Sequence, residues 1–259
     1  MYTKPYRRPA CTVMVAVLLF TGALQAQPDT VILAHDELVS FPDEGEDTTV
    51  PVDGYDELVA SLGGDSVRLC AGYGCTGWVE DLYPNGQLKH RGFYNEGQLV
   101  IFKNYHPDGT LEREFKVVDN VKSQLRIYHG NGQLRSQTRY VHGQALEYED
   151  HYSNGQLRYL EEKHREEPYY LRMDLFRPDG KPISTLVLVD KRTVTFEQSE
   201  FWPDGQVRCR GKARYDPNRM DTQRIGKWTY FDQKGQARFE EAYVDGKVHE
   251  VKPLLTSVP

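Results

Sequence analysis

The chain has 259 residues, enough for one or two domains, with 32 Lys+Arg against 38 Asp+Glu and a net charge of -6. Its mean hydropathy of -0.66 argues against an integral membrane protein. No basic field exists, which excludes nucleic acid as a partner class. Tyr is abundant, with 17 residues, and this leans the chain towards strands.

In chain order, the first segment reads as a secretory signal peptide. Lys4, Arg7 and Arg8 form a positive start, Cys11–Leu24 is apolar but short for a bilayer span, and Leu24-Gln25-Ala26 ends in a small residue suited to cleavage. Residues 1–26 are therefore expected to be removed, leaving no membrane span. Cys11 precedes the apolar run and is not placed to carry a lipid. The mature chain would hold 29 basic and 38 acidic residues. Residues 27–66 follow as an acidic leader with eleven acids and no Lys or Arg, which leaves 67–259 nearly balanced. Within the leader, TVILAHDELVSF (30–41) suits one strand. PDEGEDTTVPVD (42–53) reads as a linker, and DGYDELVASLGG (53–64) as one short helix capped by Asp53 and stopped by Gly63-Gly64.

Three cysteines lie beyond the signal segment. Cys70 and Cys75 enclose a short flexible loop with no histidine nearby, so a local disulfide in an oxidising compartment is expected. Cys209 is left over and reads as a small buried hydrophobe.

From residue 83 one phrase recurs: YPNGQLK, YHPDGTLE, YHGNGQLR, YSNGQLR, FRPDGKPI, FWPDGQVR and FDQKGQAR. Its glycines are Gly86, Gly109, Gly132, Gly155, Gly180, Gly205 and Gly235, spaced by 23, 23, 23, 25, 25 and 30 residues. A fixed short period marks a repeat architecture. Eleven residues after each glycine comes a second turn candidate, notably Gly97, Gly143 and Gly246. Asn-Gly and Asp-Gly tolerate positive φ and the prolines preset the preceding position, so each unit reads as a hairpin. Positions 2 and 8 after each glycine are mostly apolar (Leu88, Leu111, Leu134, Leu157; Tyr94, Tyr140, Tyr243), while 3 and 5 are mostly charged. That alternation predicts a sheet with one buried and one wet face. It weakens between 160 and 200, where EEKHREEPYY departs from it and ISTLVLVDKRTVTFEQ is apolar on both faces.

Two stretches carry a family likeness: TGWVEDLYPNGQLKHRGFYNEGQ with Trp78, Tyr83, Gly86, Tyr94 and Gly97, and GKWTYFDQKGQARFEEAYVDGK with Trp228, Phe231, Gly235, Tyr243 and Gly246. On these the chain resembles the MORN-repeat variant family, which includes bacterial proteins called YwqK-type antitoxins. The likeness spans about residues 70–250 and is weak from 160 to 200. It implies an all-β fold: an elongated, twisted, single-layer antiparallel meander of consecutive hairpins, serving contacts more than chemistry. The expected organisation is signal peptide 1–26, leader 27–66, repeat domain 67–250 and tail 251–259.

Catalytic signatures are missing from the sequence: no nucleophile elbow, no phosphate-binding glycine loop and no His-Glu-x-x-His occurs. His142 and His151 flank Glu147, Glu149 and Asp150, a grouping better read as a hairpin edge than as a metal site. The expectation is an exported non-enzyme, periplasmic or secreted, without cofactor or metal. Its extended sheet would contact another protein, with Trp78, Tyr83, Tyr94, Trp202, Trp228 and Tyr243 as candidate contact aromatics. The alternatives are an antitoxin or immunity-type protein, or a module for envelope glycan or lipid.

Overall fold

The computed structural model describes residues 54–254. The signal segment, the strand expected in 30–41, the linker 42–53 and Asp53 lie outside the described residues. The body opens with a two-stranded hairpin, β1 (Leu69–Cys70) and β2 (Tyr73–Gly74). Then come β3 (Gly77–Leu82), β4 (Leu88–Asn95), β5 (Gln98–Tyr105), β6 (Leu111–Val117), β7 (Lys122–Tyr128), β8 (Leu134–Val141) and β9 (Gln144–His151). The second half supplies β10 (Leu157–Lys163), β11 (Tyr170–Phe176), β12 (Pro182–Asp190), β13 (Thr195–Phe201), β14 (Val207–Asp216), β15 (Asp221–Phe231), β16 (Ala237–Val244) and β17 (Lys247–Pro253). Strands β3 to β17 form one 15-stranded sheet in which each pairs only with its sequence neighbours. Every pairing is antiparallel. The fold is the all-β hairpin meander expected. Residues 251–253, assigned to a tail by sequence, belong to its last strand.

The two edges of the meander turn differently. On one edge all seven repeats use the same loop. Tyr83 N–H donates to Gln87 O at 2.8 Å and Gly86 N–H donates to Tyr83 O at 2.9 Å; the equivalent pair recurs at each later turn, down to Asp232–Gln236 and Gly235–Asp232 at 2.9 Å. Only the glycine takes positive φ, as at Gly86 (82°) and Gly155 (84°). The residue before it does not, so this is a type I turn closed by a left-handed glycine bulge. The Asn and Asp before the glycine therefore do not serve as positive-φ residues. Their side chains accept a backbone N–H two residues on: Asn85 from Gln87 at 3.0 Å, Asp108 from Thr110 at 2.8 Å, Asp204 from Gln206 at 2.9 Å. On the other edge, Glu96-Gly97, His142-Gly143 and Asp245-Gly246 each place two consecutive residues at positive φ, the type I′ geometry of tight hairpins.

The repeated phrase is spelled as it is because consecutive turns dock on one another. Tyr83 and Tyr152 donate their hydroxyls to the carbonyls of Tyr105 and Phe176, each at 2.8 Å, and Trp202 donates its indole N–H to Phe231 O at 3.2 Å. Asn131 and Asn154 donate to Ser153 O and Pro178 O at 2.7 and 2.8 Å. The Lys or Arg ending the phrase lies over the aromatic that begins it, Lys89 on Tyr83 at 5.9 Å and Arg158 on Tyr152 at 5.6 Å. Each repeat thus satisfies polar groups of the next, as a quasi-one-dimensional architecture requires.

The two faces follow the alternation, with register shifts at the turns. Outward, Glu80, Arg91, Lys103, Glu114 and Arg126 lie in direct cross-strand register. Ion pairs run along that row at 3.5 Å (Arg91–Glu80 and Lys103–Glu114) and 3.4 Å (Arg126–Glu114). At such exposed sites they favour this register over a slipped one more than they add stability. Inward, Val79, Gly92, Phe102, Phe115 and Leu125 form the matching apolar row. Val59 from the leader seals it, with Cys75, Tyr94 and Leu99 in the same buried cluster and Leu58 and Leu62 packed alongside.

That seal revises the leader. The helix expected over 53–64 is two separate 3-10 turns, Asp56–Leu58 and Ala60–Leu62, without a side-chain cap at Tyr55 and ended by Gly63 at φ 85°. Eight residues, little more than two α-helical turns, are too few to repay an α-helix nucleus. The contacts with β3 to β7 decide its shape instead, and residues 55–62 are a folded strap and not a linker.

Candidate functional site

Two side-chain knots hold the inner face, one near each end of the sheet. In the first, Arg68 grips Asp81 with both terminal nitrogens, at 2.6 and 2.7 Å, and donates to the Tyr94 hydroxyl at 3.1 Å. Tyr55 of the strap donates to Asp81 at 2.9 Å and stacks on His90, ring centroids 3.7 Å apart at 14°. His90 Nδ1 lies 2.7 Å from Asn104 Oδ1 and Nε2 lies 2.9 Å from the Tyr94 hydroxyl. Asn104 Oδ1 only accepts, so the ring proton sits on Nδ1 and Tyr94 donates to Nε2. The Arg68 bonds hold Asp81 below the usual carboxylate range, and burial lowers His90, keeping it neutral. His90, Tyr94 and Asn104 are wholly buried.

The second knot repeats the theme with different residues. Arg224 lies 4.1 Å from the Trp228 ring centroid and donates to the hydroxyls of Tyr230 at 2.9 Å and Tyr243 at 3.2 Å. Its other terminal nitrogen pairs with Glu200, which also pairs with Arg208 at 3.2 Å. Cys209 is the one free cysteine of the described residues and is buried. Burial, with Glu200 beside it, pushes its thiol up to about 12. A thiol held protonated is no nucleophile. Both knots pair charges with opposite ones at partly buried positions, an arrangement that fixes conformation.

The six aromatics singled out as contact candidates therefore separate. Tyr94 and Trp228 are wholly buried, Tyr243 belongs to the second knot, and Tyr83 and Trp202 are rungs of the turn ladder. A docking aromatic and a packing aromatic look alike in sequence, and recurrence at every unit is what packing needs. Trp78 alone stands on the surface. It is 56% exposed on edge strand β3, packs edge-to-face on Phe93 at 5.6 Å, and has Arg91 5.1 Å from its ring. Phe93 lies in register with exposed Ile101.

The hairpin β1–β2 belongs to this same end of the sheet. Cys70 and Cys75 are joined, Cα atoms 4.9 Å apart, as the spacing predicted. Cys75 is buried, and Arg68 N–H donates to Gly97 O at 3.0 Å while Gly97 N–H donates to Cys75 O at 2.8 Å. The base is thus fixed to the β4–β5 turn, while the short loop carries Leu69 (63% exposed) and Tyr73 (81% exposed) into solvent. Sequence reasoning missed both residues, although their place inside and beside a six-residue disulfide loop was a readable signal.

Elsewhere, EEKHREEPYY ends β10, forms the loop 164–169 and enters β11, and in that loop His164 Nδ1 accepts the N–H groups of Glu166 and Glu167 at 3.2 and 3.1 Å. It borders a groove of about 360 Å³ whose Lys163 pairs with Glu161 at 3.2 Å. Among the described residues, no group of three or more His, Cys, Asp or Glu is placed to hold a metal, and no helix is long and apolar enough to cross a membrane.

The chain matches no family model and no curated protein. Function rests on the surfaces described above.

Proposed function

We propose that this chain is an exported, non-catalytic repeat scaffold of the MORN-like kind that binds another protein. The supporting observation is the pair Tyr73 and Trp78. Both are large, exposed aromatics on backbone fixed beforehand, one by a disulfide anchored in the core, the other by a strand. Rigid aromatic side chains lose little entropy on docking, which is the character of interface anchors. The signal-like segment and the disulfide support export, and the recurrent glycines at 23- to 30-residue spacing support the family likeness.

A photo-crosslinking residue at position 73 or 78, expressed in the native host, should trap one discrete protein band. The same residue at Glu197, exposed on the outer face, should not, and Tyr73→Ala with Trp78→Ala should abolish co-purification of that band. Equal trapping from all three positions, or retention by the double variant, would overturn this reading.

A further inference from the structure

The strap and the groove beneath it read as a bound peptide and its receptor. Tyr55 stacks on His90 and reaches Asp81. Asp56 pairs with Arg113 at 2.8 Å, and Arg113 also pairs with Glu112 at 2.9 Å. Glu57 points to solvent, while Leu58 and Val59 enter the apolar row, Val59 becoming wholly buried. The groove thus reads, in order, a ring, an acid, an unread position and two aliphatic residues.

The chain contains that series twice. Residues 55–59 are Tyr-Asp-Glu-Leu-Val, and residues 35–39 are His-Asp-Glu-Leu-Val. Four consecutive identities preceded by a planar ring in both are unnecessary for a mere acidic spacer. We propose that the groove on β3–β7 is a recognition site for this motif and that residues 35–39 of the same chain are its second occupant, exchanging with 55–59. This does not rest on the Tyr73–Trp78 reading, since it concerns the groove beneath the strap and not those two exposed rings.

The chemistry of exchange is specified residue by residue. Asp36 would take the place of Asp56 at Arg113, Leu38 and Val39 would fill the sites of Leu58 and Val59, and the His35 ring would stack on His90. Residues 40–67 would then form a tether of roughly 90 Å at full extension, so reach sets no limit. The two occupants differ at their ends. Strap residues 55–64 close with Gly63 and with Gly64, whose missing Cβ would sit 2.4 Å from the carbonyl oxygens of Asp56 and Glu57. Ser40-Phe41-Pro42 offers no such closure. Residues 55–59 are therefore the resident occupant and 35–39 the challenger.

The test uses full-length chains and a fluorescent peptide of residues 34–41, Ala-His-Asp-Glu-Leu-Val-Ser-Phe, read by anisotropy. A chain with Val39→Asp and Val59→Asp disables both internal motifs and should bind the peptide. A chain with Val59→Asp alone should bind it about ten-fold more weakly, because 35–39 competes in cis, and the wild type should also bind weakly. Peptides carrying Asp36→Lys or Val39→Asp should not bind. If Val59→Asp chains fail to fold, Gly64→Ala replaces that change, since its Cβ displaces the strap without altering the groove. A folded doubly disabled chain that ignores the peptide overturns the recognition site. Equal binding by the single and double variants overturns the cis exchange, and unchanged binding of the Asp36→Lys peptide overturns the assigned contacts.

Discussion

Gln133 lays its side-chain amide oxygen against the glycine of the following turn, where a Cβ on Gly155 would stand 2.2 Å from it. Gln156 repeats the relation with Gly180 at 3.0 Å. The glycine is thus required by its left-handed φ, while an added Cβ would also have to push aside the end of the neighbouring glutamine. Gly86 has the same φ class but nothing within 4 Å of an added Cβ. Gly86→Ala should cost only the left-handed penalty of about 1–2 kcal/mol. Gly155→Ala should cost at most about 0.5 kcal/mol more, because the end of the flexible Gln133 side chain can swing away from the new methyl, and Gln133→Ala should return that small excess. Urea denaturation of the two singles and the double variant measures the coupling.

Replacing Cys70 and Cys75 by Ser should lower stability by about 2 kcal/mol, the chain-entropy value for so short a loop. Most of the sheet should survive, because the bond spans five residues and β3 to β17 pair without it. Melting curves with and without reductant should show the wild type falling to the variant's midpoint, and the variant unmoved.

The Cys209 thiol, pushed up to about 12, should resist alkylation at pH 8 in the folded chain and react at once in urea. Labelling counted by intact mass gives zero added groups when native and one when unfolded under non-reducing conditions, for the chain without its first 26 residues.

His90 gives stability a pH dependence of known sign. Its folded pKa lies below the ordinary value of 6.5, so the unfolded chain takes up the proton first and stability falls as pH drops below 6.5 towards the depressed value. The rise in Asp150 through burial works the opposite way, favouring the folded state as that carboxyl protonates nearer the carboxylate range. His90→Gln should flatten the curve below pH 6.5 while lowering stability at pH 8. Denaturation midpoints across that range for both chains show it.

The fold was legible because its signal is repetitive. Seven equal phrases at near-constant spacing leave few architectures open, and the alternation around Leu88 to Ala237 fixes which face turns inward. The disulfide was legible too. Less could be read where one residue type serves two roles. Nothing local distinguishes Trp78, on an edge strand, from Trp228, which lies over Gly211 with ring atoms about 2.5 Å from the site of its absent Cβ. The strap reads as a helix in sequence because of its capping and stop signals, while the sheet that dictates its two 3-10 turns begins only at Gly77, fifteen residues after Leu62. The meaning of Arg68 and Arg224 was out of reach, since each gathers partners from several strands.

Everything above depends on strands that follow one another in strict chain order, so that turn separation tracks repeat number. Spin labels at Pro84, Pro107, Pro178 and Gln233, taken in pairs with Pro84, measure this directly by pulsed electron resonance. With two strands per repeat, each repeat should add about 10 Å, so the 84–107, 84–178 and 84–233 distances, which span one, four and six repeats, should rise in that order. An 84–233 distance as short as 84–107 would contradict the sequential meander.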